Sequence, residues 1–165
     1  MTPEQSMKIH LVECSLHADV LEDALDDAEK SLILSVDAPL GKESLRILDQ
    51  IAYRFAKLQD SMGAKVLPMI LELAQEPISS YATFSEKLNS LERIGAIPSA
   101  EEWKNLRAAR NAVAHEYPDD PELRIGAIKR FLTGARQLSG MYRFVSRYVS
   151  DHFQLRGEIE DTRSC

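Results

Sequence analysis

The chain is poor in the features that would place it outside the ordinary helical proteins. It has only two cysteines in 165 residues, Cys14 and Cys165. A single distant pair makes neither a disulfide framework nor a zinc site. Seven glycines and seven prolines are too few for a fibrous or low-complexity chain. No run approaches the roughly 18 uncharged apolar residues that a membrane span needs. The first residues, Met1 to His10, lack a basic start followed by an apolar stretch, so no secretory signal is expected, and the chain is read as cytoplasmic. Excess positive charge is absent as well. The formal net charge is -6, which argues against non-specific DNA binding, since that needs an extended basic face, but does not exclude a small RNA site.

That charge is unevenly placed. Residues 1–30 hold eight acids (Glu4, Glu13, Asp19, Glu22, Asp23, Asp26, Asp27 and Glu29) against Lys8 and Lys30, so the rest of the chain is neutral.

What the sequence has in quantity is helical periodicity. Ile9, Val12, Leu16, Val20, Ala24, Ala28 and Leu32 recur every three or four residues and predict one amphipathic helix over about 4–34. Pro39 and Gly41 break it. A second stripe runs through Leu45, Leu48, Ile51, Ala52, Phe55, Leu58 and Met62 and continues past Gly63 towards Leu73, with Pro68 as a kink or end. Residues 76–80 read as loop, and a short helix follows over about 84–94, stopped by Gly95. Ser99, with Glu102 three residues on, starts the next helix, which carries Trp103, Leu106, Ala109 and Val113. It must end near Tyr117, because Pro118 disfavours helical geometry in the residue before it. Asp120 and Pro121 open the last helix, whose stripe is Ile125, Ile128, Leu132, Ala135, Leu138, Tyr142, Val145 and Val149. The expected fold is all-α: an antiparallel bundle of four long helices and one short one, forming a single domain over 1–155, with a polar, disordered tail over 156–165.

One segment concentrates chemistry: Arg107-Ala108-Ala109-Arg110-Asn111-Ala112-Val113-Ala114-His115-Glu116-Tyr117-Pro118. At roughly 100° per residue, Arg107, Arg110, Asn111 and His115 project from one flank of a helix that buries Leu106, Ala109 and Val113. Guanidinium and amide donors suit the charge on phosphoryl oxygens, and a histidine moves protons near neutral pH. Arg107 reads either as a second phosphate contact or as an ion-pair partner of Glu101 or Glu102. The polar run Arg54, Lys57, Asp60 and Ser61 in the second helix could line the same cleft, with Arg54 closest to the buried stripe, but a solvated face is the expected reading. The spacing Arg-x4-His is not selective by itself, since Arg147 and His152 repeat it without the flanking asparagine, tyrosine and proline. His10 and His17 with Glu13 form a nominal metal pair, but surface decoration is the expected reading because no further ligand completes a site. Tyr142, Phe144 and Tyr148 are expected in core or dimer packing. Cys14 fits the buried stripe poorly.

The segment Arg110-Asn111-Ala112-Val113-Ala114-His115-Glu116-Tyr117 resembles the R-x4-6-H signature of HEPN domains, in the R-x4-H-x-Y form of HepT-like toxins. The all-α layout, with the motif at the end of the penultimate helix, is similar too. The resemblance implies a metal-independent, cofactor-free endoribonuclease that acts as a homodimer. Arg110 would stabilise the phosphate, His115 would move protons, Asn111 would orient one or the other, and the ribose 2′-OH would attack. It further implies an MNT-type nucleotidyltransferase antitoxin as partner, with Tyr117 as the residue it AMPylates. A non-catalytic module of the same fold, holding a nucleotide or the transferase, is the alternative.

Overall fold

The computed structural model describes residues 1–113 and 119–155, and of residues 111–113 the backbone only. Among these the chain is all-helical: α1 Pro3–Ser31, α2 Lys42–Ser61, α3 Leu67–Leu73, α4 Phe84–Arg93, α5 Ala100–Val113 and α6 Pro121–His152. The expected end of α5 near Tyr117 and the tail over 156–165 lie outside the described residues.

Local chemistry sets the helix starts. Thr2 and Gln5 form a reciprocal capping box ahead of α1, with Pro3 in the first turn. Thr83 and Glu86 do the same for α4. Ser99 Oγ accepts from the Glu102 amide at 3.1 Å, and Asp120 Oδ1 accepts from the Leu123 amide at 3.0 Å. Gly95, with φ +82, takes the left-handed conformation that closes α4.

Between α2 and α3 the chain does not break. It widens into one π-helical turn, Met62–Val66, with the Leu67 amide donating to the Met62 carbonyl. Pro68 explains the turn. It has no amide hydrogen, and in a regular helix its ring would strike the carbonyl four residues earlier. The wider turn moves that carbonyl aside, so helix direction survives the proline.

Side-chain pairs fix the helix directions. Arg54 meets His17, and Ser61 and Lys65 meet Glu13, so α2 runs antiparallel to α1. Arg136 meets Asp26 and Glu29 while Tyr142 reaches the Leu11 carbonyl, so α6 is antiparallel to α1 as well. The core between them contains Phe55, Leu58, Met62, Phe131, Leu138, Tyr142 and Val145, with Trp103 and Leu106 brought in by α5. The expected stripes of α2 and α6 face this core; at their outer ends Leu45 is exposed and Ile125 half-buried.

The stripe expected for α1 needs correction. Ile9, Val12 and Leu16 are 52%, 63% and 56% exposed, while Met7, Leu11, Cys14, Ala18, Leu21, Leu25 and Ala28 are buried. Only the C-terminal part of the expected stripe, Ala24 and Ala28, lies in the core. This helix carries two interleaved apolar sets, and periodicity does not say which one meets α2 and α6.

Two helical glycines give a matched test. A Cβ on Gly63 would lie 3.2 Å from Cζ2 of the buried Trp103, whereas one on Gly140 meets nothing within 4 Å. Gly140→Ala should stabilise by about 0.5–1 kcal/mol through helix propensity. Gly63→Ala should instead lose about 1 kcal/mol to overpacking. Urea denaturation of the two variants beside the wild type measures both signs.

Candidate functional site

The flank of α5 faces α2 across the π-turn. Arg110 makes a two-pronged pair with Asp60: Nη1 donates to Oδ1, and Nη2 to Oδ2 at 3.1 Å. Both side chains are partly exposed, and such pairs contribute at most about 1 kcal/mol, so the pairing orients Arg110 more than it stabilises the fold. Arg107 lies one turn earlier, is exposed, and makes no ion pair with Glu101 or Glu102 or with any other described residue. Together the two guanidiniums border an open pocket of about 430 Å³ lined also by Gln59, Asp60, Gly63, Phe84 and Trp103. Volumes of about 300–1,000 Å³ are usual for small-ligand sites.

Beneath that opening the polar chemistry is unfinished. Gln59 and Trp103 are only 3% and 2% exposed. Neither the Gln59 carboxamide oxygen and nitrogen nor the Trp103 indole nitrogen has a hydrogen-bond partner among the described residues. A buried polar group left unpaired costs about 1–3 kcal/mol, so each calls for a partner such as an ordered water or a ligand. Trp103 is held there by Gly63 below it and by Phe84, whose ring centre lies 6.4 Å away. Of the polar run expected on α2 (Arg54, Lys57, Asp60 and Ser61), Asp60 alone lines the pocket. Trp103 is expected only as core, and Gln59 carries no sequence signal beyond its position a turn before Gly63 and Pro68, where the helix must deform.

The expected site residues do not all come together. Arg107 and Arg110 share the pocket; Asn111 continues α5, and His115 and Tyr117 lie outside the described residues. Arg54 and Lys57 are elsewhere. Arg54 donates to His17 Nδ1 at 2.9 Å on the α1 side of α2. Lys57 lies exposed over the Tyr53 ring at 5.6 Å. Neither lines the pocket. Helix rotation accounts for this: residues 54 and 57 face away from 59 and 63 by roughly half a turn. The second Arg-x4-His pair is structural at its histidine, since His152 stacks on Tyr148 and bonds the Tyr148 carbonyl at 2.9 Å.

His17 is not surface decoration but a buried member of an α1–α2 polar cluster. Its Nε2 lies 3.9 Å from Glu13, which accepts from Ser61 Oγ at 3.0 Å and Lys65 at 3.3 Å. Among the described residues no three metal-ligating side chains come together. The acids of α1 are otherwise matched by α6: Arg143 donates to Asp19 and Glu22, and Arg136 to Asp26 and Glu29. The Arg143 hydrogen bond is the main cause that holds the Glu22 carboxyl below its ordinary range. Ser61 does the same for Glu13. Burial pushes the Cys14 thiol up to about 12, which keeps it unreactive.

In comparisons with family models, with curated proteins and with solved structures, no match to this chain was found. Among the described residues no helix is long and apolar enough to cross a membrane.

The His17 environment has a consequence for pH. Burial, then the Arg54 guanidinium, lower its pKa from the ordinary 6.5, with Glu13 opposing. The unfolded chain therefore takes up this proton at higher pH than the folded one. The associated stability is complete above the ordinary pKa of 6.5 and is lost as pH falls below it. His17→Asn keeps an acceptor for Arg54 without a titrating ring. Its urea midpoint should fall less than that of the wild type between about pH 7 and pH 5.5, and parallel curves would show that His17 does not carry this dependence.

Proposed function

We propose that this chain is a metal-independent endoribonuclease of the HEPN type, acting as a homodimer and neutralised by a nucleotidyltransferase antitoxin. In this reading Arg110 stabilises charge on the phosphoryl oxygens of the scissile bond and Arg107 holds a neighbouring phosphate. His115 accepts the proton of the ribose 2′-OH, whose oxygen attacks phosphorus. The P–O5′ bond breaks, the leaving oxygen takes a proton, and a cyclic phosphate remains. Asn111 orients the histidine or a phosphate, and Tyr117 is the residue that the antitoxin AMPylates. The observation that carries the reading is the placement of Arg107 and Arg110 on one flank of α5, at the rim of an open pocket and just before the segment Asn111–Tyr117.

A second reading takes the same fold as a non-catalytic module that holds a nucleotide or binds a nucleotidyltransferase. The pairing of Arg110 with Asp60 favours its transferase-binding form, because a phosphate reaches this guanidinium only by displacing the carboxylate.

Induction of the wild type beside Arg110→Ala and His115→Ala, with total RNA examined for fragments, separates the two. Growth arrest and fragments should appear with the wild type alone, each substitution lowering cleavage by about a hundred-fold or more. Cleavage by the purified protein should persist in EDTA; a strict metal requirement would contradict the proton-transfer scheme. Absence of fragments from well-expressed, helical wild type would transfer the conclusion to the binding module.

A further inference from the structure

The pocket between α2 and α5 holds more chemistry than phosphate cleavage uses. Gln59 and Trp103 line it, and the Gln59 carboxamide and the Trp103 indole N–H are both nine-tenths or more buried and without partners among the described residues. Phe84 and the bare backbone at Gly63 supply apolar wall, and Arg107 and Arg110 border the opening. Counted as hydrogen-bonding groups, these two unpartnered side chains supply two kinds of donor, the Gln59 NH2 and the Trp103 N–H, and one acceptor, the Gln59 oxygen. A complementary ligand carries two acceptors and one donor on a flat edge, with an anionic group attached within reach of the guanidiniums.

We infer that this pocket is a base-reading subsite that takes one unpaired pyrimidine of an RNA strand, an inference that rests on the reading of RNA as the chain's ligand. The Watson–Crick edge of uracil presents two carbonyl oxygens and one N–H. That of cytosine presents a carbonyl oxygen, a ring nitrogen and an amino group. Guanine presents the reverse count, one acceptor and two donors, on the same edge. Phosphates flanking the bound base lie against Arg107 and Arg110, and Arg110 exchanges its Asp60 carboxylate for one of them. The widened turn at Met62–Val66 serves this arrangement, because it brings backbone without a side chain at Gly63 against the indole ring. Gln59 and Trp103 thereby become specificity residues.

Trp103 is the chain's one tryptophan, so its indole N–H gives a single identifiable signal in a proton–nitrogen correlation spectrum. The whole protein is titrated with UMP, CMP, GMP and, as a phosphate-only probe, ribose 5-phosphate. The indole signal should shift saturably with UMP and CMP, and GMP and ribose 5-phosphate should leave it in place. Gln59→Leu, checked for helicity, should weaken UMP binding by about ten-fold or more, as loss of a two-point base contact does. No shift, or the same shift with ribose 5-phosphate, overturns the subsite even if the wild type cleaves RNA. A pyrimidine-dependent shift in a protein that cleaves no RNA upholds the subsite and removes the ribonuclease reading instead.

Discussion

Pro68 is the constraint around which the α2–α5 side of the bundle is arranged. A proline inside a helix ordinarily ends it or bends it, since it lacks a donor and its ring collides with the preceding turn. Here the chain absorbs the fault within five residues, Met62–Val66, and continues in register into α3. The widened turn puts Gly63 against Trp103, and Trp103 in turn meets Phe84 at the start of α4. Gln59 and Asp60 stand one turn earlier and face α5, where Asp60 engages Arg110. One missing amide hydrogen thus governs where a tryptophan sits and how an arginine is held.

The opposite side of the molecule is organised by charge. The eight acids of the first thirty residues are not a uniform acidic surface. Five of them are engaged by Ser61, Lys65, Arg136 and Arg143 along the seams that α1 makes with α2 and α6. The excess of negative charge therefore says little about what the α5 flank binds. Those five acids lie along the seams of α1, and none of them lines the pocket.

Much of the fold can be read from the sequence because its signals are local. Pro-Gly breaks, Ser99 with Glu102, and Asp120 with Pro121 each act within four residues, and the elements begin where those groups place them. The stripes of α2 and α6 are legible for the same reason. α1 is not, because two apolar sets share it and the choice between them is made by distant partners. His17 follows from that error: on the wrong face it reads as surface, on the right one it lies against Arg54. At the site, Arg107 and Arg110 are legible from helical spacing. Asp60 is legible only as one of a polar run on α2, its partner Arg110 lying fifty residues away. Gln59 and Trp103 are not legible as site residues, since what distinguishes them is the absence of a partner.

The two faces of α1 also bear on uniqueness. Over its first half α1 is apolar on both sides: one setting buries Met7, Leu11 and Cys14, and another would bury Ile9, Val12 and Leu16. Packing area alone discriminates poorly between them. The ion pairs do so sharply, because turning α1 about its axis would carry Glu22 and Asp26 away from Arg143 and Arg136, and Glu13 away from Ser61. Individually such contacts add little to stability. As a set they index the rotation of the first helix, as the teeth of a key select one setting of a lock.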